Sequence, residues 1–338
     1  MRKIIAGICI LISILMVGLL VTVMVSGMRG NSFGFFNRGR SSVSFFEFGG
    51  TSELVKEDSV SMDGVRKLEL SARSHAIYVR SVNSNTLTVR QYGPNNLSDR
   101  DYFDLRKNGD YVTVDARSEV RSRIVFFGWT VDERIEIDVP SDWIGDVDID
   151  TSSGGLKIQD TFEWGDISIK CTSGGITVER KLTGNKVDIR VSSGGIRLND
   201  SVIADSVYIK STSGGIRTDY IEARTVEADC SSGGITFGNT VKADDVNMRT
   251  TSGSLKAETL DAGNFNISSS SGGVRITELI GQGYVKCSSG GINIAFLNPT
   301  GNVELRTTSG GIRTEVPRDL KHLVSTHASS GGVTVDER

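Results

Sequence analysis

Between Thr151 and the C-terminus the chain writes the same short mark ten times: small polar residues, a glycine (in all but one copy a glycine pair), then an aliphatic residue. The first glycines are Gly154, Gly174, Gly194, Gly214, Gly233, Gly253, Gly272, Gly290, Gly310 and Gly331, spaced 20, 20, 20, 19, 20, 19, 18, 20 and 21 residues apart. A period this short and regular belongs to a solenoid, in which each repeat covers its neighbours and shares one continuous core. With the first glycine as position 0, four columns are mainly aliphatic. Position −7 begins Val147, Ile167, Val187, Val207, and position −5 begins Ile149, Ile169, Ile189, Ile209. Position +2 begins Leu156, Ile176, Ile196, Ile216, and position +4 begins Ile158, Val178, Leu198.

Apolar residues two apart mark a strand with one buried face. The parity switches from odd offsets before the glycines to even offsets after them. Within one strand that slip would turn every side chain to the wrong face. It marks a corner, and glycine's tolerance of positive φ predicts a bend there between two strands. A looser third column, Leu182, Val202, Ile221, Val241, Leu260, Leu279 and Leu297, predicts a third short side. The expected fold is all-β, a parallel β-solenoid of about ten 20-residue rungs. At ~4.8 Å per strand such a stack is roughly 50 Å long. Pro94, Pro140, Pro299 and Pro317 all fall outside the repeated strand cores, where a missing N–H would interrupt a ladder.

Residues 60–143 carry no glycine mark. Apolar or alternating runs at 65–70, 76–79, 87–89, 111–114 and 134–139 read as strands, separated by turn-forming Asn, Gly and Pro clusters. This stretch is expected to be an irregular β cap or a set of degenerate rungs, continuous with the regular solenoid of 144–338. The last three residues offer little to blunt the far edge, so end-to-end self-association is a further expectation.

Residues 4–25 form an uncharged run preceded by Arg2 and Lys3. The run is long enough to cross a bilayer as a helix, and the basic flank places the N-terminus in the cytoplasm. The alternative, a cleaved signal peptide, usually has a shorter apolar region. Residues 1–27 thus read as a cytoplasmic tip and one N-terminal transmembrane helix, in a bacterial cell membrane, with the domain extracytoplasmic. Residues 28–59 are rich in Gly, Ser and Phe and read as a flexible tether. A second reading rests them on the membrane interface through Phe and Arg side chains.

A net charge of −3 argues against nucleic acid as a partner. Cys171, Cys230 and Cys287 occupy one column, position −3, in rungs two, five and eight. Three rungs is ~14 Å at strand spacing, twice the reach of a disulfide, about 7 Å between Cα atoms. They are expected to be free, buried, small side chains. His75, His322 and His327 have no metal-ligand spacing, and no G-x-S-x-G, H-E-x-x-H or phosphate-loop motif occurs. The acids are scattered, unlike the clustered aspartates of pectinase-like β-helices. The reading is of a protein that is not an enzyme and needs no cofactor or metal.

The outward columns carry charge. Position −4 holds Lys170, Arg190, Lys210, Arg249, Lys286 and Arg306; position +3 holds Lys157, Arg197, Arg217, Lys256, Arg275 and Arg313. Position +5 is a partial acidic lane of Glu179, Asp219, Glu258, Glu315 and Asp336. The two basic lanes are the candidate ligand surface, suited to an anionic cell-wall polymer with repeating charges. The competing reading is a solvated face whose cations pair with neighbouring carboxylates.

The repeated S-S-G-G-I and T-S-G-G-I cores, as at 192–196 and 212–216, together with the lead-in Ile135-Glu136-Ile137-Asp138-Val139-Pro140, resemble the bacterial putative-adhesin β-strand-repeat family. The resemblance runs over about 60–335, and the N-terminal anchor is similar to that of LiaG-like membrane-anchored envelope proteins. It implies an extracytoplasmic adhesin-like binding or scaffold role in the cell envelope and no catalytic residues. The alternative it leaves open is a regulatory partner of a membrane sensor or transporter in the envelope-stress response. Ser254 departs from the pattern by replacing the second glycine.

Overall fold

The columns align into ladders. In the computed structural model, which describes residues 52–94, 97–116 and 133–338, every regular strand is paired in parallel with its equivalent one rung away. The first rungs are built from β8 (Asp146–Thr151), β9 (Leu156–Ile158), β10 (Phe162–Glu163), β11 (Ile167–Cys171), β12 (Ile176–Val178) and β13 (Leu182–Val191). Longer strands then run through the corner joining the third side to the next rung: β14 (Ile196–Ser211), β15 (Ile216–Cys230), β16 (Ile235–Thr250), β17 (Leu255–Ser269), β18 (Val274–Cys287) and β19 (Ile292–Ser309). The stack closes with β20 (Ile312–Val316), a 3-10 turn at Arg318–Leu323, β21 (Val324–Ser330) and β22 (Val333–Glu337). Val147, Ile167 and Val187 face one another in successive rungs, as do Leu156, Ile176 and Ile196, and all are buried. This is an all-β parallel solenoid of ten marked rungs. The apolar run 4–25 and most of the proposed tether lie outside the described residues.

The rung length varies, yet two sides stay in register. Shifts recur between the second and third sides, as between Leu198 and Ser201 or Phe237 and Thr240, where the shorter rungs lose their residue. One consequence corrects the third column. Phe296, not Leu297, stands opposite Leu279 and is fully buried, whereas Leu297 is 45% exposed. Volume is shared between rungs: Phe237 lies between Thr218 and Ala257, and Phe265 faces Gly283. Large beside small keeps the column filled at constant spacing.

The first glycine does its work by close approach. Among the ten first glycines only Gly310 and Gly331 have positive φ, so the expected left-handed bend is not the general reason for the residue. A Cβ on Gly174, Gly194, Gly214, Gly253 or Gly272 would instead run into the carbonyl of the first glycine one rung before. The second glycine is less constrained. A Cβ on Gly175, Gly195 or Gly215 would sit 3.3–3.4 Å from the next rung's carbonyl, ordinary or slightly tight contact, and Ser254 fills this column naturally.

Position −3 completes the corner. The hydroxyl of Ser211 donates to the carbonyl of Gly194 one rung back (3.1 Å) and accepts from the N–H of Gly214 in its own rung (3.1 Å). Thr250 and Ser269 make the same two bonds, and Thr307 bonds the Gly290 carbonyl at 3.0 Å. The cysteines substitute thiols for hydroxyls. Cys230 donates to Gly214 (3.1 Å) and Cys287 to Gly272 (2.9 Å), while Cys171 bonds Gly174 in its own rung (3.0 Å). All three are free and buried, and burial pushes each thiol above its ordinary pKa, which keeps it a protonated donor.

The unmarked region contributes β1 (Glu53–Ser61), β2 (Lys67–Ala72), β3 (Ala76–Val82), β4 (Thr86–Gly93), β5 (Asp104–Asn108), β6 (Tyr111–Ala116) and β7 (Arg134–Pro140). β1 starts within the segment read as tether up to residue 59 and pairs with β4. β2 and β3 form a rung without a glycine mark, directly beneath β8 and β9, with β6 and β7 beneath them in turn. Antiparallel strands finish this end: β5 on β6, and β4 then β1 on β7. Arg80 and Arg90 converge on the nearly buried Asp138 across these strands, and Arg80 also reaches Glu136 at 2.7 Å. In the β2–β3 rung His75 holds the first-glycine place, since its carbonyl is the one a Cβ on Gly154 would strike. Its ring is 1% exposed, and burial lowers its pKa, partly offset by a backbone hydrogen bond with Ala116 and the charge of Asp101.

Three outcomes are expected. Gly214→Ala should lower stability by about 1–3 kcal/mol through overpacking, whereas Gly215→Ala should change it by less than about 1 kcal/mol, both read from urea midpoints. A folded-state histidine pKa below the unfolded value means the unfolded chain protonates first as pH falls. The His75 contribution is therefore present above about pH 6.5 and is lost below it. Stability at pH 5 should fall relative to pH 7.5, and the drop should shrink in His75→Gln. Peptide-resolved maleimide labelling should leave Cys171, Cys230 and Cys287 unmodified in the native protein and modify all three in denaturant; labelling of the folded state would contradict their burial.

Candidate functional site at the glycine corner

The two basic lanes lie on different sides of the corner. At position −4, Lys170, Arg190 and Lys210 occupy consecutive rungs and are exposed; Asp229 then separates them from Arg249, and Ser268 separates Arg249 from Lys286 and Arg306. Several of these charges are already engaged. Arg190 pairs with Asp188 at 2.7 Å and lies over the Tyr208 ring, and Arg306 pairs with Glu304.

At position +3, Lys157, Thr177, Arg197, Arg217, Thr236, Lys256, Arg275, Asn293 and Arg313 line up in successive rungs. A rule governs their pairing: the cation meets the position +5 residue of the following rung. Lys157 bonds Glu179 at 2.9 Å and Arg313 bonds Asp336 at 3.5 Å. Arg217, Lys256 and Arg275 have Gly238, Thr277 and Ala295 in that place, and no ion pair forms among the described residues. Arg197 has Asp219 there but makes no ion pair either. Glu258, the carboxylate nearest Lys256 along the strand, accepts instead from the Thr277 hydroxyl at 3.3 Å.

An open groove of about 700 Å³ follows this lane over the last five rungs. Its floor is the second-glycine column, Ser254, Gly273, Gly291, Gly311 and Gly332, and its wall includes Lys256, Arg275, Asn293 and Arg313. The groove therefore takes in the position +3 lane and none of the position −4 lane. Missing side chains on the floor make the strip concave. The second-glycine residues also differ from strand residues in their hydrogen bonds. Their carbonyls accept from the position +2 N–H one rung before, as Ile216 to Gly234 at 2.9 Å and Leu255 to Gly273 at 3.0 Å. Their own N–H groups donate to nothing within the described residues. This spare donor row was invisible to column reading, because a glycine required by packing at position 0 masks whatever its neighbour does at position +1.

Among the described residues no three His, Cys, Asp or Glu side chains group so as to hold a metal ion, and no helix is long and apolar enough to cross a membrane. The acids are distributed along the lanes rather than gathered over a pocket.

A family model matches at residues 65–240 and 204–338, which together span the whole solenoid. The chain belongs to the Toastrack DUF4097 family. The assignment agrees with the β-strand-repeat family read from the glycine marks. No curated protein matches the chain. Solved structures similar to it include a putative adhesin from Parabacteroides distasonis, at 16% identity and TM-score 0.41, covering 84% of this chain and 96% of that one. Another is a putative lipid binding protein from the same organism, at 14% identity and TM-score 0.42, with 84% and 96% covered. A putative cell adhesion protein from Clostridium sporogenes shares 11% identity at TM-score 0.38, covering 61% of this chain and 99% of that one. At these values none of the three informs function. Toastrack membership supports the repeat fold.

Proposed function

We propose that this chain is a membrane-anchored, extracytoplasmic binding or scaffold module of the bacterial cell envelope, acting by contact and not by catalysis. The observation that carries the reading is the open groove at the glycine corner, an extended strip repeating one chemistry from rung to rung. Such a strip suits an elongated partner held by many weak, repeated contacts, since linking contacts along one molecule multiplies affinity without any deep pocket. The uncharged run 4–25 behind Arg2 and Lys3 supports the anchor, with the solenoid outside the membrane, as in LiaG-like proteins. On this reading residues 52–116 and 134–140 act as a cap at one end of the stack. The outermost strands there, β1 and β5, carry Glu53, Lys56, Glu57, Asp58, Asp104, Arg106 and Lys107, and charged edges discourage strand-to-strand aggregation.

Cell fractionation with protease shaving tests the proposal. The protein should partition with membranes, and protease added to intact cells or spheroplasts should remove the solenoid. Isolated cell-wall material should sediment with the purified protein. A soluble, protease-protected protein would overturn the localisation. Crosslinking to a single membrane protein, with no retention on wall material, would instead select the regulatory-partner alternative.

A further inference from the structure

Stacked like charges are costly in a parallel ladder, because residues directly opposite lie ~4.8 Å apart and repel when they share a sign. The position +3 lane tolerates this twice, with Arg197 against Arg217 and Lys256 against Arg275. Among the described residues no carboxylate pairs with any of the four. Elsewhere in the same lane a +5 carboxylate one rung on answers the cation, at Lys157 and Arg313. The +5 acid is thus absent opposite three of the four cations, where Gly238, Thr277 and Ala295 stand, and opposite the fourth, Arg197, Asp219 is present but forms no ion pair. A second feature accompanies it: the backbone N–H groups of Gly195, Gly215, Gly234, Ser254 and Gly273 run beside the four cations, one per rung, and donate to nothing among the described residues. Backbone N–H groups without a protein partner are ready ligands for anions, the property that phosphate-binding nests use.

From these two observations we propose that the strip from Arg197 to Arg275, beside the second-glycine column, is a binding site for a linear polyanion. The cations supply charge-assisted hydrogen bonds, with the guanidinium forks of the arginines able to grip an oxyanion through two donors. The spare N–H row supplies neutral donors between them. Four cations over five rungs span roughly 19 Å at strand spacing, which demands several charges on one extended molecule rather than a single ion. Thr236, midway between the pairs, leaves room for the backbone of the ligand between two charged contacts. The chain as a whole is acidic, at −3, so the attraction is local to this strip and short in range at physiological salt. The position −4 lane is not part of the site: Asp229 and Ser268 interrupt it, and Arg190 and Arg306 are already paired.

The strip enters the groove proposed above at Lys256 and Arg275, and the inference rests on that corner surface being used for binding. The full chain in neutral-detergent micelles should bind long-chain inorganic polyphosphate, poly-L-glutamate or both, measured by calorimetry across a salt series. Polyphosphate alone would identify phosphate groups as the feature recognised, and poly-L-glutamate alone would identify carboxylates. Binding should weaken steeply as salt rises, because each contact releases a counterion. The double variant Lys256→Gln, Arg275→Gln should bind roughly tenfold more weakly and with a shallower salt dependence. Arg190→Gln, Arg306→Gln, on the other side of the corner, should bind like the parent. The variants lie on exposed side chains, and an unchanged urea midpoint checks their folding. Failure of both polymers to bind, or binding indifferent to the Lys256 and Arg275 changes, overturns the inference. Wall retention without polyanion binding would defeat this inference alone, whereas polyanion binding by a cytosolic protein would defeat the envelope reading alone.

Discussion

Each first glycine after Gly154 lies so close to the first glycine of the preceding rung, and Gly154 to His75, that no Cβ fits between its Cα and the neighbour's carbonyl. The remaining features of the corner depend on that contact. A side chain at position 0 would push the rungs apart locally, while the ladders on either side hold them at strand spacing. The corner therefore cannot relax without breaking ladder bonds. The carbonyl that makes the contact is also drawn away from ladder partners, and position −3 supplies the replacement donor from the next rung, at 2.9–3.2 Å. Serine, threonine and cysteine share that column because each is small and can donate. Val191 and Ala328 satisfy only the size requirement.

The same economy reaches the surface. Ladder bonding uses the second-glycine carbonyl and leaves its N–H spare, so the packing that sharpens the corner also exposes a row of donors. Outward charges then decide what kind of surface the row belongs to. A carboxylate at position +5 neutralises a cation at position +3 across one rung, and its loss at Gly238, Thr277 and Ala295 changes the character of the strip without touching the core. Inward columns set the architecture and outward columns are free to vary, which is how one repeat can carry different binding chemistry along its length.

Most of the solenoid could be read from the chain because its columns are set by burial alone. Val147 above Ile167 and Leu156 above Ile176 follow from period and parity. The reason for the glycines did not follow, because a sequence shows that a position avoids a side chain and not whether φ or a neighbouring carbonyl excludes it. Phe296 was missed in favour of Leu297 for a related reason: the third side is where rung length varies, so counting from the glycine loses parity there. The β2–β3 rung was hidden because His75 stands where a glycine would mark it. The candidate surface was half visible. Both basic lanes could be listed, but which cations are paired depends on a neighbour about twenty residues away and one rung along.

The order of strands at the unmarked end has a consequence for how the molecule is made. β2 and β3 come early in the chain yet lie between β8–β9 on one side and β6–β7 on the other. During synthesis from the N-terminus, this pair has neither neighbour until residues 111–158 have emerged, so it cannot serve as the template on which later rungs are laid. The marked rungs, by contrast, need only the chain about twenty residues before them, a local contact that closes quickly. Stacking is thus expected to begin among the glycine-marked rungs and to spread toward the N-terminal end, counter to the direction in which the chain appears. Until it arrives, the unmarked end exposes unpaired strand edges, and it is that segment rather than the repeats that needs protection while the chain folds.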